Sequence, residues 1–207
     1  MTRGRFVVLE GGDGSGKSTQ AGRLVAGLRA RGVTVCETFE PGATPAGAVI
    51  RELLLHGGAS VTSVAEALLM AADRAQHVAE VVAPALDRGE WVVSDRFLPS
   101  SLVYQGVVRA LGVDVVRAMN EAATAGVVPD LVVVLDVPEV QAGALRGVTR
   151  DRFEAEGARF HEAVATTYRD LAASEGWVLL DGSDDVDAVA ARVSSAVEPL
   201  LRATAPQ

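Results

Sequence analysis

Residues Gly11-Gly12-Asp13-Gly14-Ser15-Gly16-Lys17-Ser18 fill the pattern G-x-x-x-x-G-K-[ST] completely. That spacing suits a polyphosphate, because glycines let successive backbone N–H groups turn inward around phosphate oxygens. A helix starting at the lysine adds the partial positive charge of its N-terminus. In such a loop Lys17 bridges the β- and γ-phosphates and the Ser18 hydroxyl faces Mg²⁺. The expected ATP-binding set is therefore Gly11, Gly12, Asp13, Gly14, Ser15, Gly16, Lys17, Ser18 and Thr19. Lys17 is also the one lysine among 19 basic residues. A compact ammonium fits between phosphates where a planar guanidinium does not, so its survival in an arginine-rich chain marks the position.

The same lysine count removes one class of nucleotide-binding protein. Switch GTPases read guanine with an Asn-Lys-x-Asp loop, and with Lys17 in the phosphate loop no lysine remains to build it. Large ATPase motors need a longer chain than 207 residues. What is left is a small kinase.

The elements that must carry this loop follow from hydrophobic patterning. Strand-like runs occur at 6–9, 33–37, 91–94, 131–136 and 177–180. Helical spacing covers 17–31, 46–55, 64–87, 100–125, 155–175 and 186–201. Strands alternating with helices imply crossover connections and a parallel sheet covered on both faces. The expected fold is α/β: five parallel strands with helices on both sides, in a single domain spanning 1–207. Gly32, Gly89, Gly126 and Gly176 each follow a helical stretch, where a C-capping glycine belongs. Residues 203–207 read as a loose tail.

Composition bounds the setting. A net charge of −8 argues against a general nucleic-acid or anionic-membrane surface. The longest apolar runs fall far short of the ~20 residues of a membrane span, and no signal-like apolar segment precedes the first strand. Cys36 stands alone, so no internal disulfide forms, as suits a cytoplasmic protein. Histidines 56, 77 and 161 show no metal-ligand spacing; His77 and His161 read as packing or surface residues.

Further along lie Glu40-Pro41-Gly42-Ala43-Thr44, Asp73-Arg74, Asp95-Arg96-Phe97, Ser100-Ser101, Tyr104-Gln105-Gly106 and Asp151-Arg152-Phe153-Glu154. Together with the phosphate loop, and in this order from about 5 to 201, they resemble the thymidylate kinase family of nucleoside monophosphate kinases. The resemblance implies transfer of the ATP γ-phosphoryl group to dTMP, Mg²⁺ as the metal, and a homodimer packed through long helices. It also implies roles by position. Asp95, with Ser18, stands at the metal; Arg96 grips the acceptor phosphate; Asp13 takes the acceptor sugar's 3′-hydroxyl. Arg74 and Ser101 face the base, Tyr104 packs where a 2′-hydroxyl would sit, and Gln105 joins the acceptor pocket. Arg146, Arg150 and Arg152 match a mobile lid, about 146–155, whose arginines act with Lys17 and Arg96 in catalysis. Asp181-Gly182-Ser183 matches the loop beside adenine.

Three positions depart from the family pattern. Phe39 stands where an arginine usually helps bind the acceptor phosphate, Met70 where an aromatic ring usually stacks on thymine, and Pro99 where an acid is usual. Phe39 and Met70 stay in the expected acceptor set. The departures leave two further readings open: a related kinase tuned to a modified nucleotide or another small phosphorylated acceptor, and a non-catalytic nucleotide-binding regulatory module.

Overall fold

The computed structural model describes residues 3–57, 60–145 and 151–204. Five strands make one parallel sheet: β1 (Phe6–Glu10), β2 (Val35–Phe39), β3 (Trp91–Asp95), β4 (Leu131–Asp136) and β5 (Val178–Asp181), in the order β2-β3-β1-β4-β5. The central strand is apolar at successive positions because both of its faces are covered. Phe6 and Val8 point to one face with Val92, Val132 and Val134. Val7 and Leu9 point to the other with Val93, Val133 and Leu135.

On the Val7 face lie α1 (Lys17–Ala30) and α9 (Val186–Thr204), through Leu24, Val25 and Leu28 of the first and Val189, Val193 and Val197 of the second. The other face is covered by α2 (Pro45–Leu55), α3 (Ser63–His77), α4 (Ala83–Asp87), α5 (Leu98–Ser101) and α8 (Ala158–Glu175), with α6 (Val113–Thr124) packed against α3. Between β4 and α8 runs α7 (Glu139–Leu145), an element the sequence patterning did not reveal.

The expected sheet, strand count and covering helices are present. Several boundaries moved. The stretch 64–87 is one rod with a π-helical turn at Val78–Val82, between α3 and α4. The stretch 100–125 is broken instead: a π-helical turn at Leu102–Val108 ends at Ala110, whose φ is 57°, and α6 restarts after Gly112. Strand β2 runs on to Phe39, and α9 continues to Thr204, into the segment read as a tail. Gly32, Gly89, Gly126 and Gly176 all adopt left-handed φ between 72° and 81°, as helix-ending glycines do.

Register decides where the site falls. Leu9 pairs with Asp95, and Asp95 pairs with Phe39, so β1, β3 and β2 finish level at their carboxyl ends. The chain leaves β1 toward β2 and leaves β4 toward β5, on opposite sides. The crevice between such diverging connections is where ligands bind in open α/β sheets.

Leu28, 2% exposed, fills the space between α1 and the sheet. Leu28→Ala should lower unfolding free energy by about 2–5 kcal/mol, read from urea unfolding as a shift in midpoint at unchanged slope.

Candidate active site

The phosphate loop leaves β1 and enters α1. Gly14 and Gly16 each hold φ of 84°, and a Cβ on Gly14 would lie 2.3 Å from the Ala142 carbonyl oxygen of α7. Only glycine fits there. The α1 N-terminus carries no side-chain cap and no acid in its first turn, which leaves its N–H groups to an anion. Lys17 Nζ curls back to the Gly12 carbonyl at 2.8 Å and to Ser15 Oγ at 3.4 Å. Burial, then the neighbouring Arg96, pushes its pKa down to about 8. A bound polyphosphate supplies opposite charge that favours the ammonium form and raises that pKa again.

Ser18 and Asp95 meet as expected, with Ser18 Oγ donating to Asp95 Oδ2 at 2.5 Å. Asp95 Oδ1 is buried with no hydrogen-bond partner. An orphaned carboxylate oxygen beside a hydroxyl is a hard, all-oxygen donor set, the kind Mg²⁺ takes along with phosphate oxygens and water. Among the described residues no cluster of three or more His, Cys, Asp or Glu stands ready for a metal. Nucleotide phosphates would therefore complete the coordination.

Arg96 is the centre of the next layer. Its φ of 75° is a left-handed backbone that side-chain-bearing residues seldom adopt, and such strain collects at functional sites. Its Nη2 meets Asp13 Oδ1 at 2.5 Å, and Nη1 reaches Ser100 Oγ at 3.0 Å. The guanidinium lies 5.4 Å from the Tyr104 ring centroid, and the Tyr104 hydroxyl donates to Asp13 Oδ2 at 3.2 Å. Burial pushes the Asp13 carboxyl up, but Arg96 and Lys17 outweigh it and hold the pKa below the usual value. Asp13, Arg96 and Tyr104, 91 positions apart at most, thus form one contact set.

Behind them sits Glu10, fully buried, to which sequence reading gave no role. It accepts from the Phe97 and Ser100 amides at 2.9 and 3.1 Å, the Ser100 hydroxyl at 2.7 Å and the Tyr168 hydroxyl at 2.8 Å. Burial pushes its carboxyl up from the ordinary value. Its one sequence signal was a lone acid closing an otherwise apolar strand.

These groups open onto a cavity of about 650 Å³, lined also by Phe39, Arg51, Met70, Arg74, Ser101 and Gln105. Every expected acceptor residue lies on it. Arg74 is 2% exposed and spends its donors within the protein: Glu40 at 2.8 and 2.9 Å, Ser101 Oγ and the Phe97 carbonyl at 3.1 Å, and Asn120. Glu40 also bonds His77 Nδ1 at 2.9 Å, and His77 Nε2 meets Thr38 Oγ1 at 2.6 Å. So His77 is a buried, bonded member of the site wall; His161 is buried as well. Asp73 accepts from the Gly42 amide at 2.9 Å, tying α3 to the Glu40–Gly42 turn.

Arg51 was missed. Its guanidinium stands 5.8 Å from the Phe39 ring centroid and bonds the Pro41 carbonyl at 2.7 Å, so a cation occupies the wall where Phe39 replaces one. Pro99 is buried in the first turn of α5, where a missing N–H costs nothing. Of the lid arginines, Arg146 and Arg150 lie outside the described residues. Arg152 is bonded to the buried Glu66 and stands over the Phe153 ring. Asp181 anchors its own loop through the Ser183 amide at 2.9 Å.

A phosphate loop on a five-stranded parallel sheet, opening onto a cavity that runs on from the loop past the ends of β3 and β2, defines a P-loop nucleotide kinase. The family model described as "Thymidylate kinase" matches residues 9–193. The chain is 48% identical over 194 residues to a thymidylate kinase of Leifsonia xyli subsp. xyli, covering 92% of each chain. It is 47% identical over 208 residues to one of Prochlorococcus marinus (strain MIT 9313), covering 96% of this chain and 94% of that protein. A thymidylate kinase of Rhizorhabdus wittichii is 49% identical over 177 residues, covering 83% and 85%. This chain belongs to the thymidylate kinase family.

Burial and the nearby Glu40 push the Asp73 pKa up to about 6. A carboxyl whose pKa is higher folded than unfolded contributes stability at low pH and loses it as pH rises through the folded value. Asp73→Asn keeps an acceptor for the Gly42 amide but cannot ionise. Its Tm relative to wild type should therefore rise between pH 4 and pH 7; a difference that stays flat across that window contradicts the shift.

Proposed function

We propose that this kinase transfers the γ-phosphoryl group of ATP to dTMP, giving dTDP and ADP. The observation that carries this reading is the contact between the phosphate-loop acid Asp13 and Arg96 at the mouth of the acceptor cavity, with Tyr104 on both. It sets the acceptor phosphate beside the γ-phosphate. The reaction needs no covalent intermediate: an oxygen of the acceptor phosphate attacks the γ-phosphorus in line, and the bond to the β–γ bridging oxygen breaks.

Lys17 moves from the Gly12 carbonyl onto the β- and γ-phosphates, and its charge meets the negative charge spreading over the transferring group. Arg96 holds the acceptor phosphate with Arg51 as a second cation on the cavity wall. Asp13 accepts the sugar 3′-hydroxyl, and the buried Tyr104 ring excludes a 2′-hydroxyl. Ser101, Gln105 and the edge of Arg74 meet the base, with the Met70 thioether against its face. Arg150 and Arg146 supply the lid cations. Mg²⁺, held through Ser18 and Asp95, would offset phosphate charge and align the polyphosphate.

The reading covers one kinase domain with a lid at about 146–155, acting in the cytoplasm as a homodimer. No helix among the described residues is long and apolar enough to cross a membrane. The dimer surface is an apolar strip on adjacent helices: Val49 and Leu53 of α2, Val64 and Leu68 of α3, and Val115 of α6, each 40–71% exposed. Exposed apolar side chains on three packed helices call for a partner, and the same helices of a second copy satisfy it.

Two measurements test this. ADP release with MgATP across dTMP, dUMP, dCMP, dGMP and UMP should favour dTMP, at kcat/KM near 10⁴ M⁻¹s⁻¹ or above as an order of magnitude. In the same assay Lys17→Met should fold normally and keep less than about a tenth of wild-type kcat, a loss of ~1.4 kcal/mol or more. Efficient turnover only with another acceptor overturns the dTMP reading. For the dimer, sedimentation should give twice the chain mass, and Leu68→Glu should return the protein to one; a wild-type monomer at micromolar concentration rejects that surface.

A further inference from the structure

Outside the catalytic groups, Glu66 of α3 is a buried charge, 1% exposed. Three segments converge on its carboxylate. Gln105 Nε2, from the π-helical turn at Leu102–Val108, donates to Oε1 at 2.9 Å. Arg109, from just after that turn, approaches the same oxygen at 3.5 Å. Arg152, from the segment before α8, bonds Oε2. Arg109 is itself fixed by Glu156 at 2.9 Å and by the rings of Phe153 and Phe160 at 5.8 and 5.1 Å.

A carboxylate flanked by two guanidiniums has only acceptors to offer. It therefore settles which end of the Gln105 amide faces it: the nitrogen turns to Glu66, and the carbonyl oxygen is left as the free acceptor. Gln105 lines the acceptor cavity, and its oxygen makes no hydrogen bond among the described residues. An acceptor fixed there matches a pyrimidine whose ring nitrogen carries a hydrogen, as in thymine and uracil. It opposes the bare lone pair of cytosine. The other Glu66 oxygen meanwhile fastens Arg152, whose backbone amide also bonds the Leu55 carbonyl at 3.2 Å. Phe153, next in the chain, packs edge-on against Tyr104 with centroids 5.8 Å apart.

We propose that Glu66 is a positioning residue that orients Gln105 to read the ring N–H of the acceptor base. Base recognition then depends on one buried carboxylate. The inference rests on the reading of this cavity as the dTMP site and extends it to a residue that touches no substrate.

The test is Glu66→Gln, which preserves shape but offers Gln105 either a donor or an acceptor, so the amide is free to turn. Dissociation constants for dUMP and dCMP isolate the ring edge, since neither carries the methyl group. Wild type should prefer dUMP, and Glu66→Gln should shrink the dUMP:dCMP ratio by about ten-fold, the discrimination a misdirected buried hydrogen bond provides. The affinity for ATP should stay the same. Glu66→Gln with a lower Tm but a ratio within two-fold of wild type overturns the proposal, since the residue is then a packing group. Should that variant not fold, Gln105→Met provides the second reading: loss of the dUMP preference supports the fixed acceptor, and an unchanged ratio rejects it. Wild type that binds neither nucleotide would instead sink the cavity assignment, leaving the two failures distinct.

Discussion

The pairing of Arg96 with Asp13 is the interaction on which the rest of the site depends. A guanidinium at the bottom of a crevice has lost most of its water, and without an anion beside it the loss would cost several kcal/mol. Asp13 supplies that anion, yet Asp13 belongs to the phosphate loop, so the contact welds the loop after β1 to the turn after β3. The level finish of those strands makes the weld possible. Glu10 fastens the same turn from below through the Phe97 and Ser100 amides, holding Arg96 in a backbone conformation it would otherwise leave.

The same arrangement recurs around the cavity. Glu40 backs Arg74, and Glu66 backs Arg109 and Arg152. A chain of net charge −8 thus binds anions by placing several of its acids behind its arginines, where they orient cations. Overall charge says which surfaces will repel, and nothing about a site whose charges are sorted in depth.

Much of this was legible in the sequence because it is carried by short-range pattern. The phosphate loop is eight contiguous residues, and the parallel sheet announces itself through apolar runs separated by amphipathic helices. Asp95 and Arg96 could be assigned because they close such a run. What escaped was set by tertiary pairing. Arg51 reads as one more charge on an amphipathic helix, and only the path of the turn after β2 brings it over Phe39. Glu66, Asp73 and His77 share one helix, yet Glu66 serves the turn carrying Gln105 while Asp73 and His77 hold the turn after β2. The break in 100–125 was hidden for a similar reason: its residues carry ordinary helical patterning, and the interruption comes from a π-helical turn that re-aims Tyr104 and Gln105. The bond of Arg152 to Glu66 is likewise invisible in the sequence, at 86 positions' separation.

Backing an arginine with a carboxylate, as Asp13 backs Arg96, has a consequence for how the site takes up phosphate. An unpaired buried guanidinium would bind phosphate strongly in either the ground or the transition state, a uniform gain that lowers KM without raising kcat. A paired one has part of its charge already answered, so it gives its full attraction only to a group carrying more negative charge than the empty site supplies. The transferring phosphoryl group, between two phosphate chains, is where that excess is greatest. Arg96 fits this account, since Asp13 holds it before any ligand arrives and Asp13 also has a sugar hydroxyl to accept. The ion pair therefore stabilises the empty crevice, aligns the acceptor, and keeps the strongest part of the cation's attraction for the moment when charge is passing between the phosphates.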